Sequence, residues 1–356
     1  MKILYFSRTY SPHDFRFLSA IADGGHQAFL VRLQKEPSNE TIPSLPKGSE
    51  EVPWPGKLKP LIEWVNPDLI HAGPLTSCGY LAAKSGFQPA LQMSWGSDLL
   101  WEARRNPLAG WRAKYALRRA SAVIGDCEAV RSAALALGAP SARTVMFPWG
   151  VDLDRFNPKG GDGGLRARLG WQDKFVLLHL RAWEPLYDPL AVAKAFSRAA
   201  QRELSLCLLM PGAGKLASRI YTVFEQHKVL DRVHMPGQLT PAELPEIYRA
   251  SDLYISASQS DGSSVSLMEA LASGLPALVS DIPGNREWVQ PGKQGWLFRV
   301  KDQHALADLI LRAAAQPGQL KLLGQQARLT AEGRADWAQN KQSLYKAYDL
   351  ALGMVA

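Results

Sequence analysis

Two carboxylic acids, Asp261 and Glu269, flank the start of a short predicted helix in the C-terminal half of the chain. Apolar residues at helical spacing predict that this helix runs over 265–272. Ser263 and Ser264 precede it, and the unpaired N–H groups of a helix N-terminus favour an anion such as a phosphate. Carboxylates beside a phosphate would repel it unless they bind hydroxyl groups instead. These residues together predict a ligand that carries both phosphates and sugar hydroxyls.

The segments on both sides of this helix have the composition of buried strands. The run 253–258 precedes it, and 277–280 follows it after Gly274 and Pro276. A glycine after a helix accommodates a left-handed conformation, and a proline beyond it cannot continue the helix. The order of strand, loop, helix and strand is typical of a doubly wound α/β sheet, which binds its ligands outside the carboxyl ends of the strands.

Length and charge narrow the class of protein. The 356 residues are enough for two domains of ordinary size. A net charge of +8 favours anionic partners such as nucleotide sugars, and no nucleic-acid-binding motif accompanies it, so nucleic acid is not an expected partner. The three cysteines are far apart, which indicates a reducing compartment and no metal cluster. Without a signal peptide or a long apolar run, we expect a cytoplasmic protein.

The stretch 253–295 resembles the C-terminal signature of the retaining glycosyltransferases of family 4, also described as glycosyl transferases group 1. That signature has two acidic residues separated by seven others, a small-Gly-x-Pro turn and a Gly-Asn-x-Glu loop. Here the acidic pair is Asp261 and Glu269, the turn is 273–276 and the loop is 284–287. The first acid is Asp where the family has Glu, so its side chain is one methylene shorter.

The resemblance covers nearly the whole chain and implies the GT-B fold, in which two Rossmann-like domains face a cleft. It implies an N-terminal acceptor domain over 1–158, a C-terminal donor domain over 159–334, and a C-terminal helix over 335–356 that packs back on the first domain. The implied reaction is retaining transfer of a hexosyl group from a nucleotide diphosphate sugar, UDP- or GDP-linked, to a hydroxyl of a glycan, glycolipid or small molecule. It implies no cofactor and no required metal ion.

The resemblance also implies the residues of the donor site. Arg181 binds the diphosphate, which its planar fork can hold bidentately. Asp261 holds sugar hydroxyls and favours the cationic ring, whereas Glu269 binds the ribose hydroxyls. The family's lysine about five residues after this arginine is absent. Tyr187, Lys215 and Arg8 are candidate replacements, although Lys215 is equally explained as a surface residue on a turn. The other donor-binding candidates are Gly262, Ser263, Ser264, Val265, Gly237 and Leu239.

The acceptor side falls in the N-terminal half, where the sequence departs from the family. The first loop lacks the family's glycines and carries Arg8, His13 and Asp14. Trp95 stands where many relatives have a histidine, so the resemblance does not extend to a mechanism that needs that imidazole. We expect Arg8, His13, Asp14 and Asp98 to bind the acceptor. The alternative for His13 and Asp14 is a solvent-exposed pair at a helix N-cap, and helix capping is the alternative for Asp98.

Three further segments carry predictions. Residues 15–23 have the pattern of a helix, and residues 36–60 have the composition of a loop. The segment 101–119 interleaves basic and aromatic residues, which suits peripheral contact with an anionic surface on the inner membrane face. The alternative for 101–119 is a solvated helix whose tryptophan packs inward.

Two other functions stay open at this point. One is a non-hydrolysing nucleotide-sugar epimerase on the same fold, which would release a free 2-epimer without an acceptor. The other is a catalytically degenerate subunit that binds a sugar nucleotide without transferring it. The Asp at position 261, the Trp at position 95 and the missing lysine are compatible with the second alternative.

Overall fold

The computed structural model describes residues 1–35 and 42–354 of the chain. The chain divides into two compact units, the first formed by Met1–Pro148 with the C-terminal residues from Ala338, and the second by Trp149–Trp337. Each unit contains one parallel β-sheet whose strands are joined through helices. This arrangement confirms the predicted fold class, α/β with two Rossmann-like domains.

The sheet of the first unit has seven strands among the described residues, and all neighbouring strands are parallel. In chain order they are β1 (Lys2–Ser7), β2 (Gln27–Arg32), β3 (Ser49–Val52), β4 (Leu69–Ala72), β5 (Ala90–Met93), β6 (Ala122–Gly125) and β7 (Thr144–Met146). Their order across the sheet is β3-β2-β1-β4-β5-β6-β7. The chain order reverses between β1 and β4, which creates a crevice outside the carboxyl ends of these two strands.

Helices of the first unit connect these strands. They are α1 (Pro12–Asp23), α2 (Lys59–Val65), α3 (Tyr80–Ser85), α4 (Ala103–Arg105), α5 (Pro107–Leu117) and α6 (Glu128–Ala136). α1 begins three residues before its predicted start because Ser11 and Asp14 form a capping box, in which each side chain accepts from the other residue's backbone N–H. Pro12 occupies the first helical position, where its missing N–H costs nothing.

The loop predicted over 36–60 contains β3, so the prediction is wrong for Ser49–Val52. β3 pairs with β2 at the edge of the sheet, and only Val52 of its residues is fully buried. An edge strand with two exposed glutamates lacks the apolar alternation that marks a strand in a sequence. Residues 36–41 of the same prediction lie outside the described residues.

The segment 101–119 is interrupted at Asn106, whose side chain caps α5 by accepting from two backbone N–H groups. The alternative that packed tryptophan inward is wrong for Trp111, which is 52% exposed, as is Leu108 at 53%. Two arginines lie over aromatic rings of this segment, Arg105 over Trp101 at 4.3 Å and Arg119 over Tyr115 at 3.8 Å. Contact with an anionic membrane surface stays a prediction.

The sheet of the second unit has six strands among the described residues, and again all neighbours are parallel. They are β8 (Phe175–Leu178), β9 (Leu206–Leu209), β10 (Val233–His234), β11 (Leu253–Ser256), β12 (Ala277–Ser280) and β13 (Gly295–Phe298). Their order is β10-β9-β8-β11-β12-β13, so the chain order reverses between β8 and β11. Leu177 and Leu178 of β8 and Leu253 and Tyr254 of β11 are fully buried, as expected for the centre of a parallel sheet covered on both faces.

Helices of the second unit are α7 (Leu165–Leu169), α8 (Pro189–Ala200), α9 (Ala217–Gln226), α10 (Leu244–Arg249), α11 (Val265–Ala272), α12 (Pro283–Arg286), α13 (Gln303–Ala314) and α14 (Pro317–Arg334). α11 has the predicted bounds, and Gly274 after it has the predicted left-handed conformation, with φ of 71°. Ser273 caps the helix because its N–H donates to the carbonyl of Glu269.

The C-terminal helix α15 (Trp337–Leu352) packs on the first unit. Its Tyr348 hydroxyl lies 2.9 Å from Nδ1 of His71 in β4, and both side chains are buried. Burial lowers the pKa of His71 to about 3, so this imidazole is neutral and serves packing and hydrogen bonding. Residues 355 and 356 of the predicted helix lie outside the described residues.

The described residues contain neither a candidate membrane-spanning helix nor a cluster of metal-ligating side chains. None of the helices within 1–35 and 42–354 combines the length and the apolar character that a bilayer crossing requires. In the same part of the chain, no cluster of three or more His, Cys, Asp or Glu side chains has the spacing of a metal site. The three cysteines, Cys78, Cys127 and Cys207, are buried, and none of them forms a disulfide within the described part of the chain.

Candidate functional site

The candidate site of the second unit lies at the point where the strand order of its sheet reverses. Arg181 follows β8, and Asp261 lies in the loop that follows β11. Because β8 and β11 are parallel neighbours, their carboxyl ends lie side by side. Two residues that are 80 positions apart in the sequence therefore meet in the crevice where doubly wound sheets bind their ligands.

Arg181 and Asp261 form an ion pair in which Nη2 of the arginine donates to Oδ2 of the aspartate at 2.6 Å. The two side chains are only 13% and 18% exposed. Burial raises the pKa of Asp261, while the guanidinium beside it works in the opposite direction. Burial alone would lower the pKa of Arg181, but the carboxylate raises it above its ordinary value. The arginine is therefore charged and points at the loop after β11.

Three further contacts fix the guanidinium. Nη1 of Arg181 donates to Oγ of Ser264 at 2.8 Å and lies 3.4 Å from Oγ of Ser266. The guanidinium carbon lies 4.1 Å from the ring centroid of Tyr187, a cation–π contact. The remaining Nε–H is buried and has no acceptor among the described residues. These contacts hold the cationic fork in one orientation at the crevice.

The loop that carries Asp261 leads directly into α11. Ser264 occupies the N-cap of that helix, but its side chain accepts from Arg181 and makes no capping bond to the backbone of α11. The indole Nε1 of Trp288 donates to Oγ of Ser263 at 3.0 Å and holds the middle of the loop. The first-turn N–H groups of α11 lack intrahelical partners, as at any helix start, and form a positive end beside the guanidinium.

Glu269 of α11 belongs to a buried polar network. Its Oε2 accepts from the hydroxyl of Tyr248 in α10 at 2.8 Å, and the residue is only 8% exposed. The hydroxyl of Tyr254 in β11 lies 2.8 Å from Oγ of Ser266, which lies 3.2 Å from Oγ of Ser264. Hydrogen bonds thus run from the loop carboxylate Asp261 through the arginine and the serines to these tyrosines.

Tyr248, Tyr254 and Ser266 are site residues that the sequence analysis missed. Tyr254 and Tyr248 are fully buried and read in the sequence as ordinary core residues of a strand and a helix. Ser266 lies on the first turn of α11. Its position two residues after Ser264 is the one feature of the sequence that could have indicated a role in the site. The pairing of α10 and β11 against α11 depends on the tertiary fold, which a pattern within one segment cannot reveal.

The other predicted donor residues include one that contacts Arg181 and three that lie elsewhere in the second unit. Tyr187 lies against Arg181, as described. Lys215 pairs with Glu184 at 3.3 Å, and its side chain is 83% exposed, which fits the alternative of a surface lysine on a turn. Gly237, with φ of 85°, accepts from the N–H of Gly212 at 2.7 Å, and Leu239 packs partly buried against the core. The predicted role of these residues in donor binding stays a prediction.

In the first unit, two of the predicted acceptor residues have structural partners. Asp14 is 2% exposed, belongs to the capping box of α1 and accepts from the hydroxyl of Tyr5 at 3.1 Å. Asp98 is 1% exposed and accepts from the N–H groups of Leu75 and Leu99 at 2.8 and 3.1 Å. Burial raises the pKa of Asp98 to about 6, against these stabilising hydrogen bonds. These contacts give both carboxylates a structural role: Asp14 caps a helix, although it is buried and not solvent-exposed, and Asp98 accepts from two backbone N–H groups.

Arg8 and His13 are the more accessible acceptor candidates. Arg8 pairs with Glu102 at 3.3 Å and lies within 3.4 to 3.5 Å of the hydroxyls of Ser77 and Thr76. His13 is partly buried, with its ring centroid 5.6 Å from that of Trp95. Arg8 and the π-helical turn at Leu75–Gly79 follow β1 and β4, where the strand order of this sheet reverses. Their position fits a second ligand-binding crevice.

Comparison with known families agrees with this geometry. Residues 165–330 match a family model described as Glycosyl transferases group 1. Residues 11–155 match a family model described as Glycosyltransferase Family 4. The two matches are adjacent, cover most of the chain and correspond to its two sheets. The chain therefore belongs to the family 4, group 1 glycosyltransferases.

The chain is similar to EpsD of Bacillus subtilis, which is named as a glycosyltransferase, with 24% identity over 82% of this chain and 80% of that protein. It is 28% identical to D-inositol 3-phosphate glycosyltransferase of Nocardia farcinica over 65% of this chain, but spans about half of that relative, 52%. Among solved structures, Anabaena HepE in complex with UDP-glucose matches with a TM-score of 0.84 and 21% identity, over 98% of this chain and 99% of that one. This last likeness shows the GT-B fold.

Gly284 permits the close packing that shapes the loop of Asp261, and its replacement provides a test. A Cβ at position 284 would lie 2.3 Å from the carbonyl oxygen of Gly262 and 2.6 Å from that of Asp261. Because these backbone atoms cannot move away without strain, Gly284→Ala should lower the free energy of unfolding by about 1–3 kcal/mol. Urea denaturation measures this change.

The matched control is Gly318→Ala in α14, where a Cβ would meet no atom within 4 Å. We expect this variant to keep its unfolding free energy within about 1 kcal/mol of the wild type, or to gain slightly, because alanine is the better helix former. Equal urea midpoints for the two variants would show that the loop of Asp261 does not require a glycine at position 284.

Proposed function

We propose that the chain transfers a hexosyl group from a nucleotide diphosphate sugar to a hydroxyl acceptor with retention of anomeric configuration. The observation that carries this proposal is the fixed fork of Arg181, paired with Asp261 and Ser264 beside the start of α11. A diphosphate leaving group needs a cation and N–H donors, and a sugar needs a carboxylate for its hydroxyls. The crevice at β8 and β11 supplies both.

Each residue then has a chemical task. The bond between the anomeric carbon and the diphosphate oxygen breaks through an oxocarbenium-like state, and negative charge grows on the diphosphate. Arg181 and the N-terminus of α11 stabilise that charge, which is the work a divalent cation would otherwise do, so we expect no metal requirement. Asp261 accepts from sugar hydroxyls and favours the cationic ring. Glu269 accepts from the ribose hydroxyls of the nucleotide.

Retention follows from where the acceptor proton goes. The acceptor oxygen forms its bond to the anomeric carbon on the face that the diphosphate leaves, and its proton passes to the departing phosphate oxygen. This route needs no histidine as a base, so it is compatible with the tryptophan at position 95, where many relatives have a histidine. The acceptor is a hydroxyl compound that binds the first unit, and Arg8 and His13 are our candidates for contacting it because Asp14 and Asp98 are buried.

Solved relatives support a UDP-linked donor. HepE of Anabaena, which shares the fold, has been crystallised with UDP and with UDP-glucose. The pneumococcal transferase GtfA, with a TM-score of 0.69, has been crystallised with UDP and GlcNAc. These ligands belong to those proteins, and they make UDP and UDP-glucose the first compounds to test on this chain.

Replacing Arg181 tests the diphosphate site. Arg181→Ala should weaken UDP binding by about 2–4 kcal/mol, which is roughly a 30- to 900-fold rise in Kd, because it removes a partly desolvated cation from a phosphate. Isothermal titration calorimetry with UDP, GDP and ADP measures the effect and identifies the base. Unchanged affinity in Arg181→Ala would remove this residue from the site.

Arg166→Ala is the matched control for that substitution. Arg166 and Asp252 form an ion pair of 2.7 Å with 22% and 32% exposure, but Asp252 precedes β11 and so lies at the amino end of the same strand. The control removes a comparable arginine and ion pair, so it shows the cost of a lost pair alone. We expect Arg166→Ala to bind the nucleotide with wild-type affinity.

Replacing Asp261 tests the chemistry. Asp261→Asn should keep nucleotide affinity within about threefold, because no phosphate contact is removed, but should slow turnover by about 10²- to 10³-fold. Release of nucleotide from UDP-glucose and other sugar nucleotides, with water or simple glycosides as acceptors, measures turnover. Proton NMR of the wild-type reaction should show the α-anomer first from an α-linked donor. Asp252→Asn serves as the control.

Three results would contradict the proposed reaction in different ways. A β-anomer formed first would contradict retention and leave transfer intact. A free 2-epimer of the nucleotide sugar, formed without an acceptor, would indicate an epimerase. Tight donor binding without hydrolysis or transfer to any acceptor would indicate a binding subunit whose Asp at position 261 no longer supports catalysis.

A further inference from the structure

Tyr248 lies beneath the candidate site and is not assigned a role by the proposed reaction. The residue is 1% exposed, and its ring packs edge-on against Phe156, with centroids 5.8 Å apart. Its hydroxyl lies 2.8 Å from Oε2 of Glu269 and 3.1 Å from the carbonyl oxygen of Ser266. A buried polar group on an otherwise apolar face of α10 is retained at a cost in desolvation, so its two partners call for an explanation.

The hydroxyl acts as a donor to the carboxylate. The phenol hydroxyl has one proton to donate. Of the two oxygens within reach, the carboxylate oxygen is a stronger acceptor than the backbone carbonyl oxygen. Burial and then the charge of Glu269 raise the pKa of Tyr248 well above its ordinary value. Tyr248 therefore stays protonated, and its hydrogen bond to Glu269 persists across the physiological pH range.

The same contact ties the carboxylate to the backbone of α11. Ser266 and Glu269 are three residues apart and lie on the same face of this helix. The hydroxyl of Tyr248 therefore bridges the carboxylate of Glu269 and the backbone carbonyl of Ser266. The terminal torsion of a glutamate is otherwise broad and freely adopted. With one carboxylate oxygen fixed, the plane of the carboxylate is set relative to α11.

We propose that Tyr248 is a positioning residue, which orients the carboxylate of Glu269 so that it accepts from the ribose hydroxyls of the donor nucleotide. This inference rests on the proposed function, in which Glu269 binds the ribose. Tyr248 itself touches neither the nucleotide nor the sugar. Its contribution is to present an acceptor in one orientation, which spares the cost of ordering it when the ligand binds.

Tyr254 supplies a matched comparison within the same network. It is as deeply buried as Tyr248, and its hydroxyl also makes a bond of 2.8 Å, but to Oγ of Ser266 and not to the carboxylate. Tyr248→Phe and Tyr254→Phe therefore remove the same atom from equally buried rings. Only the first removes a donor from Glu269.

The experiment compares the affinities of a nucleoside diphosphate with and without its ribose hydroxyls. Calorimetry first determines which of UDP, GDP and ADP the wild-type chain binds, and then measures that nucleotide and its 2′,3′-dideoxy form on all three proteins. The wild type should prefer the ribose form by roughly 10- to 150-fold, the range for hydrogen bonds to a charged group. In Tyr248→Phe this ratio should fall at least about fivefold, whereas Tyr254→Phe should keep it.

The ratio separates positioning from a general loss of stability. A merely structural role of Tyr248 would lower both affinities together and leave the ratio unchanged, and that outcome would overturn the inference while the proposed function stands. An equal fall of the ratio in both variants would also overturn it. A wild-type chain that binds none of the three nucleotides would overturn the proposed function and this inference with it.

A second measurement needs no variant and applies if Tyr248→Phe fails to fold. In a crystal structure of the wild type with the bound nucleotide, the hydroxyl of Tyr248 should remain within hydrogen-bond distance of Glu269 while the carboxylate accepts from a ribose hydroxyl. A carboxylate that leaves Tyr248 in order to reach the ribose would contradict positioning.

Discussion

The ion pair between Arg181 and Asp261 is the interaction on which the candidate site depends. Removing two charges from water is costly, and their mutual attraction offsets that cost only when the geometry is good and the remaining donors find partners. Here the guanidinium meets the carboxylate at 2.6 Å and Ser264 at 2.8 Å, and the ring of Tyr187 covers it. Such an arrangement is a weak source of stability, so its presence at a ligand crevice points to function.

The sheet topology brings this pair together. Arg181 and Asp261 follow two strands that are far apart in the chain but hydrogen-bonded neighbours in the sheet. The loop of Asp261 is then held from three directions, by the arginine, by Trp288 through Ser263, and by the close backbone approach at Gly284. A carboxylate, a cation and a helix N-terminus are thereby fixed before any ligand arrives, which is the condition for stabilising charge that develops in a reaction.

Much of this arrangement could be predicted from the sequence, because its determinants are local. α11 has a helical apolar pattern, and Gly274 and Pro276 end it, so the predicted bounds agree with the structure. The resemblance to the family implied Arg181 as a site residue, and the structure shows its contact with Asp261. β3 was not predicted because an exposed edge strand has no alternating apolar pattern. The start of α1 was predicted three residues too late, although the capping box of Ser11 and Asp14 is a local signal.

The residues that could not be predicted are those whose role is set by packing between segments. Tyr248 meets Glu269 only because α10 lies against α11, and no spacing in the sequence encodes that contact. Burial likewise changes the interpretation of Asp14 and Asp98, which read as polar loop residues but are enclosed acceptors of backbone and hydroxyl donors. Lys215, a plausible cation in the sequence, lies on the surface beside Glu184.

The central claim, that Arg181 and Asp261 act as one unit on the donor, is tested most directly by a double-mutant cycle. The binding free energy of the sugar nucleotide that the wild type binds would be measured for Arg181→Ala, Asp261→Ala and the double variant. We predict a coupling of about 0.5–3 kcal/mol between the two substitutions, because each residue fixes the other. Additive effects within about 0.3 kcal/mol, as for distant sites, would show that the two residues act independently and would contradict the account.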